Sequence, residues 1–355
     1  MYTNVDKVTL LHVEPTSKCN ASCPGCPRNN NGFGVKENLV LQDLNPDVII
    51  NRANELPNLK TIHLCGNVGD PIAYKHLNYL LDKVIQKNNH WLEFGAIDNH
   101  WSVNIATNGS LRSVKWWQKL GKKLHVRLWR SHRVTFGIDG LADTSPIYRQ
   151  GTNFNKVVDN AKAFIDEGGI AEWQYLKFKH NEHQVEEARK MAEDIGFDKF
   201  VASQPYLSPA YHWKTGERYY LEPAAAGEFD RTRIDDHSER WEEHFATPGE
   251  FTENIKNNSS LQGFKETDLQ GNPIITTALT RNTYVKEKNC MHVDVDGNGN
   301  YSLFLTVSGK VLPCCYFELV GVAREKFDMK TLDIKTEFNT GNYRITCLRM
   351  CGSIE

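Results

Sequence analysis

The sequence predicts an α/β fold built on a parallel sheet, and three observations carry that expectation. Between residues 8 and 205, short β-branched or apolar runs alternate six times with segments of helical periodicity. That alternation implies strands buried on both faces, as in a parallel sheet or barrel. The residues able to do chemistry fall just after the predicted strands, where parallel βα folds place their active sites. The chain has 355 residues, enough for one large domain and a smaller one.

The elements follow in order. Val8 to Glu14 reads as the first strand, and Asn29 to Asn38, rich in Asn and Gly, as a loop. Pro46 opens a helix with Val48, Ile49 and Ala53 on one face, ending near Pro57. Thr61–Cys65 is the second strand, and Tyr74–Gln86 carries Leu77, Leu80, Leu81 and Val84 at helical spacing. A polar connection spans 88–100. Ser102–Thr107 is the third strand, a helix begins at Ser113, and Leu124–Trp129 reads as a short extra strand. Arg133–Ile138 is the fourth strand. The helix from Phe154 to Glu167 is closed by Gly168 and Gly169. Glu172–Phe178 is the fifth strand, with Asn181 expected as the N-cap of a helix over Glu182–Ile195. Gly196 stops that helix, and Asp198–Ala202 is the sixth strand. Residues 206–285 lose the alternation and read as a bridging, substrate-facing region.

The loop after the first strand carries Cys19, Cys23 and Cys26 in a C-x3-C-x2-C pattern. That spacing lets three thiolates converge on one metal centre, one short of the usual four for a cubane cluster, leaving an open position for chemistry. A structural zinc borrowing a fourth ligand is the competing reading of the loop alone. A second group, Cys290, Cys314, Cys315, Cys347 and Cys351, lies near the end of the chain, and Cys65 reads as a buried thiol. Asp294–Asn300 lacks the acidic residue an EF-hand needs at loop position twelve, where Leu305 falls, so it reads as a turn leading into Tyr301–Leu305. A net charge of -2 gives no electrostatic case for nucleic acid. No apolar run approaches a membrane span, and Met1–Asp6 lacks the features of a signal peptide. The expectation is a cytoplasmic protein whose clustered cysteines bind metal rather than pair as disulfides.

C-x3-C-x2-C after an N-terminal strand resembles the radical S-adenosylmethionine (radical SAM) superfamily. The resemblance implies an open partial (β/α)6 TIM-like barrel, a 4Fe–4S cluster on Cys19, Cys23 and Cys26, and S-adenosylmethionine chelating the open iron. Gly25 departs from the aromatic residue many members carry. Gly69-Asp70-Pro71 resembles the motif that receives the methionine ammonium, with Asp for the usual Glu. Thr107-Asn108-Gly109 resembles the ribose-proximal motif. Gly137-Ile138-Asp139-Gly140 resembles Ser-Ile-Asp-Gly with glycine in place of serine, and Arg149 stands where an arginine often faces the S-adenosylmethionine carboxylate. Cys23-Pro24-Gly25-Cys26-Pro27-Arg28 and the G-x4-C element at Gly309–Cys314 are similar to the branch with a smaller C-terminal SPASM or twitch domain, a β-hairpin and cysteine-rich unit. The implied organisation is a core over 1–205, the bridging region 206–285, and an auxiliary-cluster domain over 286–355. Cys290, Cys314, Cys347 and Cys351 are the expected ligands of an auxiliary 4Fe–4S cluster, with Cys315 the alternative to Cys314.

In this family the reduced cluster passes an electron into the sulfonium, and the resulting 5′-deoxyadenosyl radical takes a hydrogen atom from substrate. The resemblance implies a radical SAM oxidoreductase or maturase with an electron donor such as flavodoxin or ferredoxin. It favours a peptide or protein substrate, oxidised or crosslinked. Dehydrogenation of a small polar molecule such as a sugar or aminocyclitol alcohol is the second reading. A non-catalytic, metal-stabilised binding protein is the third.

Overall fold

The computed structural model describes residues 8–37, 39–93, 100–125, 132–203, 205, 210–222, 224, 301–309 and 311–312. Six βα units follow in order: β1 (Val8–Val13), α1 (Pro46–Asn54), β2 (Thr61–Leu64), α2 (Leu77–Glu93), β3 (Ser102–Thr107), α3 (Val114–Leu124), β4 (Arg133–Gly137), α4 (Ser145–Tyr148), α5 (Phe154–Ile165), β5 (Ile170–Leu176), α6 (Val185–Ile195) and β6 (Lys199–Ser203). Then come a small hairpin, β7 (Ala210–Tyr211) with β8 (Arg218–Tyr219), and a second pair, β9 (Tyr301–Leu305) with β10 (Val311–Leu312). The main sheet has the order β10-β9-β1-β2-β3-β4-β5-β6. Strands β1 to β6 run parallel and in sequence, and β10 and β6 stand at opposite edges, so the sheet is an open partial α/β barrel.

β9 pairs parallel with β1, setting Phe304 beside His12 and Leu305 beside Val13. The strand at 301–305 therefore extends the main sheet, and β10 turns back antiparallel on it.

Local chemistry accounts for the helix ends. The Asn45 side chain accepts from the backbone N–H of Asp47 at 2.9 Å, and Pro46 begins α1 with its φ preset. Asn153 does the same for Lys156 at 2.9 Å ahead of α5. α6 ends at Gly196, whose φ of 96° is left-handed.

α2 differs from expectation at both ends. Pro71–Ala73 forms a 3₁₀ turn, and the Tyr74 hydroxyl donates to Leu44 O at 2.7 Å, which makes Tyr74 a packed link rather than a helical residue. The helix also runs on to Glu93, through residues read as a connection. Asn88 explains this: its amide bonds both backbone groups of Trp101, at 2.9 and 2.8 Å, so a tertiary contact holds a polar helical turn. Leu124 closes α3, and residues 126–130 lie outside the described residues. Asn181 occupies a cap position, but its side chain turns back to Phe178 N (2.7 Å) and Leu176 O (3.0 Å) and caps nothing. The loop leaving β5 has the closer orphan groups, and they win.

The two faces of the sheet differ, whereas burial on both was expected. Val103, Ile105, Val134, Phe136 and Trp173 are buried on the helix-covered face. There Phe136 packs 5.1 Å from Trp117 of α3 and 6.3 Å from Phe164 of α5. The alternate residues His12, His63, Asn104, Thr135 and Glu172 are only partly buried and polar. In register, His12, His63, Asn104 and Arg133 form one row across β1 to β4. Among the described residues, this second face of the partial barrel is thus lined by polar, partly buried side chains.

Trp117 is fully buried and touches both Phe136 and Phe164. Trp117→Ala is expected to cost about 3–5 kcal/mol, the range for emptying a large aromatic site, read as a lower denaturation midpoint. A loss under about 1 kcal/mol would mean that α3 and α5 do not share this core.

Candidate active site

The cysteine loop leaves β1 through Glu14 and is tied down before the first cysteine. Thr16 Oγ1 donates to Asp43 at 2.6 Å, Ser17 Oγ to Val40 O at 2.7 Å, and Lys18 pairs with Asp43 at 2.7 Å. Cys23 is buried, and Cys19 and Cys26 are partly so; all three are free thiols. Cys19 Sγ accepts from Ala21 N at 3.3 Å and from Asn108 Nδ2 at 3.5 Å, while Cys26 Sγ donates to Asn67 O at 3.5 Å. Cys23 Sγ lies 3.9 Å from Arg149 Nη1.

Burial pushes the Cys19 thiol up to about 12, with Asp70 and the other two thiols adding to it. Burial likewise pushes Cys26 up to about 11, with Cys23 adding. Burial also raises Cys23, although Arg149 opposes it. Burial raises all three thiols, so they ionise only beside a strong positive charge, which a bound metal centre supplies. The donor set therefore fits a metal cluster and suits no isolated thiol chemistry.

Two buried carboxylates brace this loop from neighbouring strands. Asp70 accepts from Ile72 N at 2.8 Å, from Thr107 Oγ1 at 2.9 and 3.0 Å, and from Asn108 N at 2.9 Å. It thereby locks the turn after β2 to the end of β3. Asp70 N donates to Lys18 O at 2.8 Å, and a Cβ at Gly69 would collide with the Thr16 carbonyl, so Gly69 permits the close approach of the two loops. Asp139, after β4, accepts from Leu176 N at 2.6 Å and pairs with Arg149 at 2.5 Å. Burial alone would lower the Arg149 pKa; Asp139 and then Cys23 raise it above its ordinary value.

Gly137 now has a physical reason. A Cβ there would meet the Arg149 guanidinium, so a larger residue would make that flexible side chain shift from its place at the end of β4.

The sequence matches the Radical SAM superfamily over residues 13–192, just over half of the chain. The chain belongs to the radical SAM superfamily. Membership implies a 4Fe–4S cluster and S-adenosylmethionine. Among solved structures, SuiB of Streptococcus suis bound to S-adenosylmethionine is similar at 15% identity and a TM-score of 0.54, over 95% of this chain and 67% of that one. SuiB bound to the precursor peptide SuiA gives 14% identity and a TM-score of 0.51, over 97% and 70%. The protein anSMEcpe with bound AdoMet gives 16% identity and 0.52, over 97% and 85%. At these identities the likeness is one of fold. A comparison with curated proteins finds no match.

In this radical SAM chain the expected residues fall into three linked groups: Cys19 with Asn108, Thr107, Asp70, Pro71 and Gly69; Cys23 with Arg149 and Asp139; and Cys26 with Asn67. Cys290, Cys314, Cys315, Cys347 and Cys351 lie outside the described residues.

The structure adds residues that the sequence reading passed over. Glu14 is fully buried, and its carboxylate accepts from Asn67 N at 3.1 Å and Val68 N at 3.3 Å. A lone acid closing an apolar strand was the available signal. Gln150 is a hub: its carbonyl accepts from Ser22 N, and its side chain bonds Tyr211 O, the Tyr219 hydroxyl and Trp213 N. It fastens the cysteine loop to the β7–β8 hairpin. Tyr148, Phe178, Ala210 and Leu221 cluster with Cys23, and Tyr219 packs against them, giving the thiols an apolar cover.

Arg149→Met leaves Asp139 buried without its cation and is expected to destabilise the protein by about 3–5 kcal/mol. In that variant burial, opposed only by the Leu176 N–H, raises the Asp139 carboxyl pKa further, so the folded state holds a proton that the unfolded chain releases above about pH 4. Its stability should therefore rise as pH falls from 8 to 6. Urea midpoints at the two pH values, compared with the parent, test this; parallel slopes would show that Arg149 is not what neutralises Asp139.

Proposed function

We propose that this radical SAM enzyme abstracts a hydrogen atom from a side chain of a peptide or protein substrate, leading to net oxidation or crosslinking. The observation that carries the catalytic reading is the meeting of three thiols, each raised by burial, beside an apolar cluster. Cys19, Cys23 and Cys26 would hold the cluster, and one electron passed from it into S-adenosylmethionine supplies a 5′-deoxyadenosyl radical. Asp70 and the turn after β2 present negative charge and carbonyl groups for the methionine ammonium. Arg149 offers a planar fork for the carboxylate, held in its charged form by Asp139. Thr107 and Asn108 would contact the ribose. Tyr148, Phe178 and Leu221 exclude water from the cluster side. We assign Cys290, Cys314, Cys347 and Cys351 to an auxiliary cluster that accepts the electron left on the substrate, and a flavodoxin or ferredoxin to the supply of reducing electrons.

Support for a peptide substrate comes from the fold likeness to SuiB, solved with its precursor peptide SuiA, and to anSMEcpe, solved with a bound peptide. The polar face of the sheet, with Arg133 and Glu172 paired at 2.6 Å, favours the second reading, a small polar alcohol.

The test is anaerobic. Reconstituted protein should hold about eight irons per chain and release 5′-deoxyadenosine from S-adenosylmethionine under dithionite. Cys23→Ala should abolish release, and Cys347→Ala with Cys351→Ala should halve the iron. Iron without cleavage under several reductants would defeat the catalytic reading. Turnover of polyols but not of any peptide would transfer the assignment to the small-molecule reading.

A further inference from the structure

The polar face of the sheet carries a second group of metal-ligating side chains besides those of the cysteine loop. His12 and His63 are register partners on β1 and β2, and their rings meet edge to face with centroids 5.3 Å apart. Cys65 stands two residues beyond His63, and strand alternation returns it to the same face. Its Sγ lies 3.4 Å from His12 Nδ1. One ligand atom from each of the three lies within 4.8 Å of the other two. Ligand atoms around a tetrahedral ion with bonds of about 2.0–2.3 Å stand roughly 3.3–3.6 Å apart, so the sulfur–nitrogen edge already has that length. Small ring rotations would close the remaining gap.

We infer that His12, His63 and Cys65 form a mononuclear binding site for a borderline divalent cation of the zinc class, with a fourth ligand supplied by water or another group. Two imidazoles and a thiolate select such an ion over magnesium or calcium, which take oxygen ligands. Three protein ligands on two adjacent strands form a rigid half-cage with one side unfilled. The surroundings suit an ion. Phe304 stacks on the His12 ring at 6.3 Å and fixes its plane. Asn104, the register partner of His63, carries a buried Oδ1 with no hydrogen-bond partner among the described residues. A water completing the ion's shell would supply that missing donor. Without metal, a thiol–imidazole hydrogen bond between Cys65 and His12 is the alternative state of the same atoms.

The experiment uses the full chain with its iron–sulfur clusters reconstituted, so that the cluster cysteines are occupied. The protein is equilibrated with Zn²⁺ in dialysis, and zinc and iron are counted separately. X-ray absorption at the zinc edge then reports the ligands. The expected result is one zinc per chain with one sulfur near 2.3 Å and two nitrogens near 2.0–2.1 Å. Cys65→Ser and His63→Ala should each weaken zinc binding at least about tenfold while iron is retained. No zinc in protein with full iron, or a shell of sulfur alone, would overturn the site. So would zinc binding indifferent to both substitutions. The spectrum of the unsubstituted protein decides by itself, so a variant that failed to fold would not rescue or sink the inference.

Discussion

Buried carboxylates hold the working edge of this sheet together. Glu14, Asp70 and Asp139 are buried at the ends of β1, β2 and β4, and each accepts a backbone N–H from a neighbouring segment. A carboxylate out of water is tolerable only when its lone pairs are filled by donors of fixed geometry. Each acid therefore dictates where a neighbouring loop must run: Glu14 places the turn at 67–68, Asp70 the end of β3, and Asp139 the exit from β5 with Arg149. The cysteine loop sits inside that frame and inherits its order. The frame also explains why Asp70 can be shorter than the usual glutamate. Its oxygens serve two loops at once, which requires a carboxylate close to the main chain.

The same edge shows a second economy of space. Arg149 lies against Gly137 at the end of β4, where the missing side chain leaves it room, and reaches both Asp139 and the neighbourhood of Cys23. One guanidinium thus offsets a buried acid and faces a buried thiol. The rigid fork of arginine suits this double duty; a lysine would put a point charge in one place or the other.

Much of this architecture was legible in the sequence. Strand β3 was read to its ends at Ser102 and Thr107, because Val103 and Ile105 alternate with the polar Ser102 and Asn104. The cysteine spacing and the acids after strands two and four stood out in the sequence as candidate site residues, and the structure brings them close to one another. What escaped the sequence were effects carried by distant partners. β9 pairs with β1 across nearly the whole chain, and nothing local announces that pairing. The last turns of α2 look like a loop until Asn88 meets Trp101. Asn181 has the residue type of a cap, yet closer carbonyl and amide groups claim its side chain. Gly137 looked like a lost hydroxyl until Arg149, twelve residues on, was seen to need the room. His12 and His63 read as ordinary strand residues, since only the sheet register makes them neighbours.

The pairing of β9 with β1 also bears on how the chain is made. The first strand emerges from the ribosome early, and β2 to β6 can zip onto one side of it as they appear. Its other side has no partner among the described residues until Tyr301–Leu305 is synthesised. At about 5–20 residues per second, the roughly 100 residues between β6 and the end of β9 take on the order of 5–20 s to arrive. Throughout that interval a nascent sheet carries an unpaired apolar edge, Val8-Thr9-Leu10-Leu11, that can accept a strand from another chain. Nascent-chain chaperones and slow translation of the middle segment thus become determinants of yield, and expression at lower temperature works against the polysome-bound aggregates this topology invites.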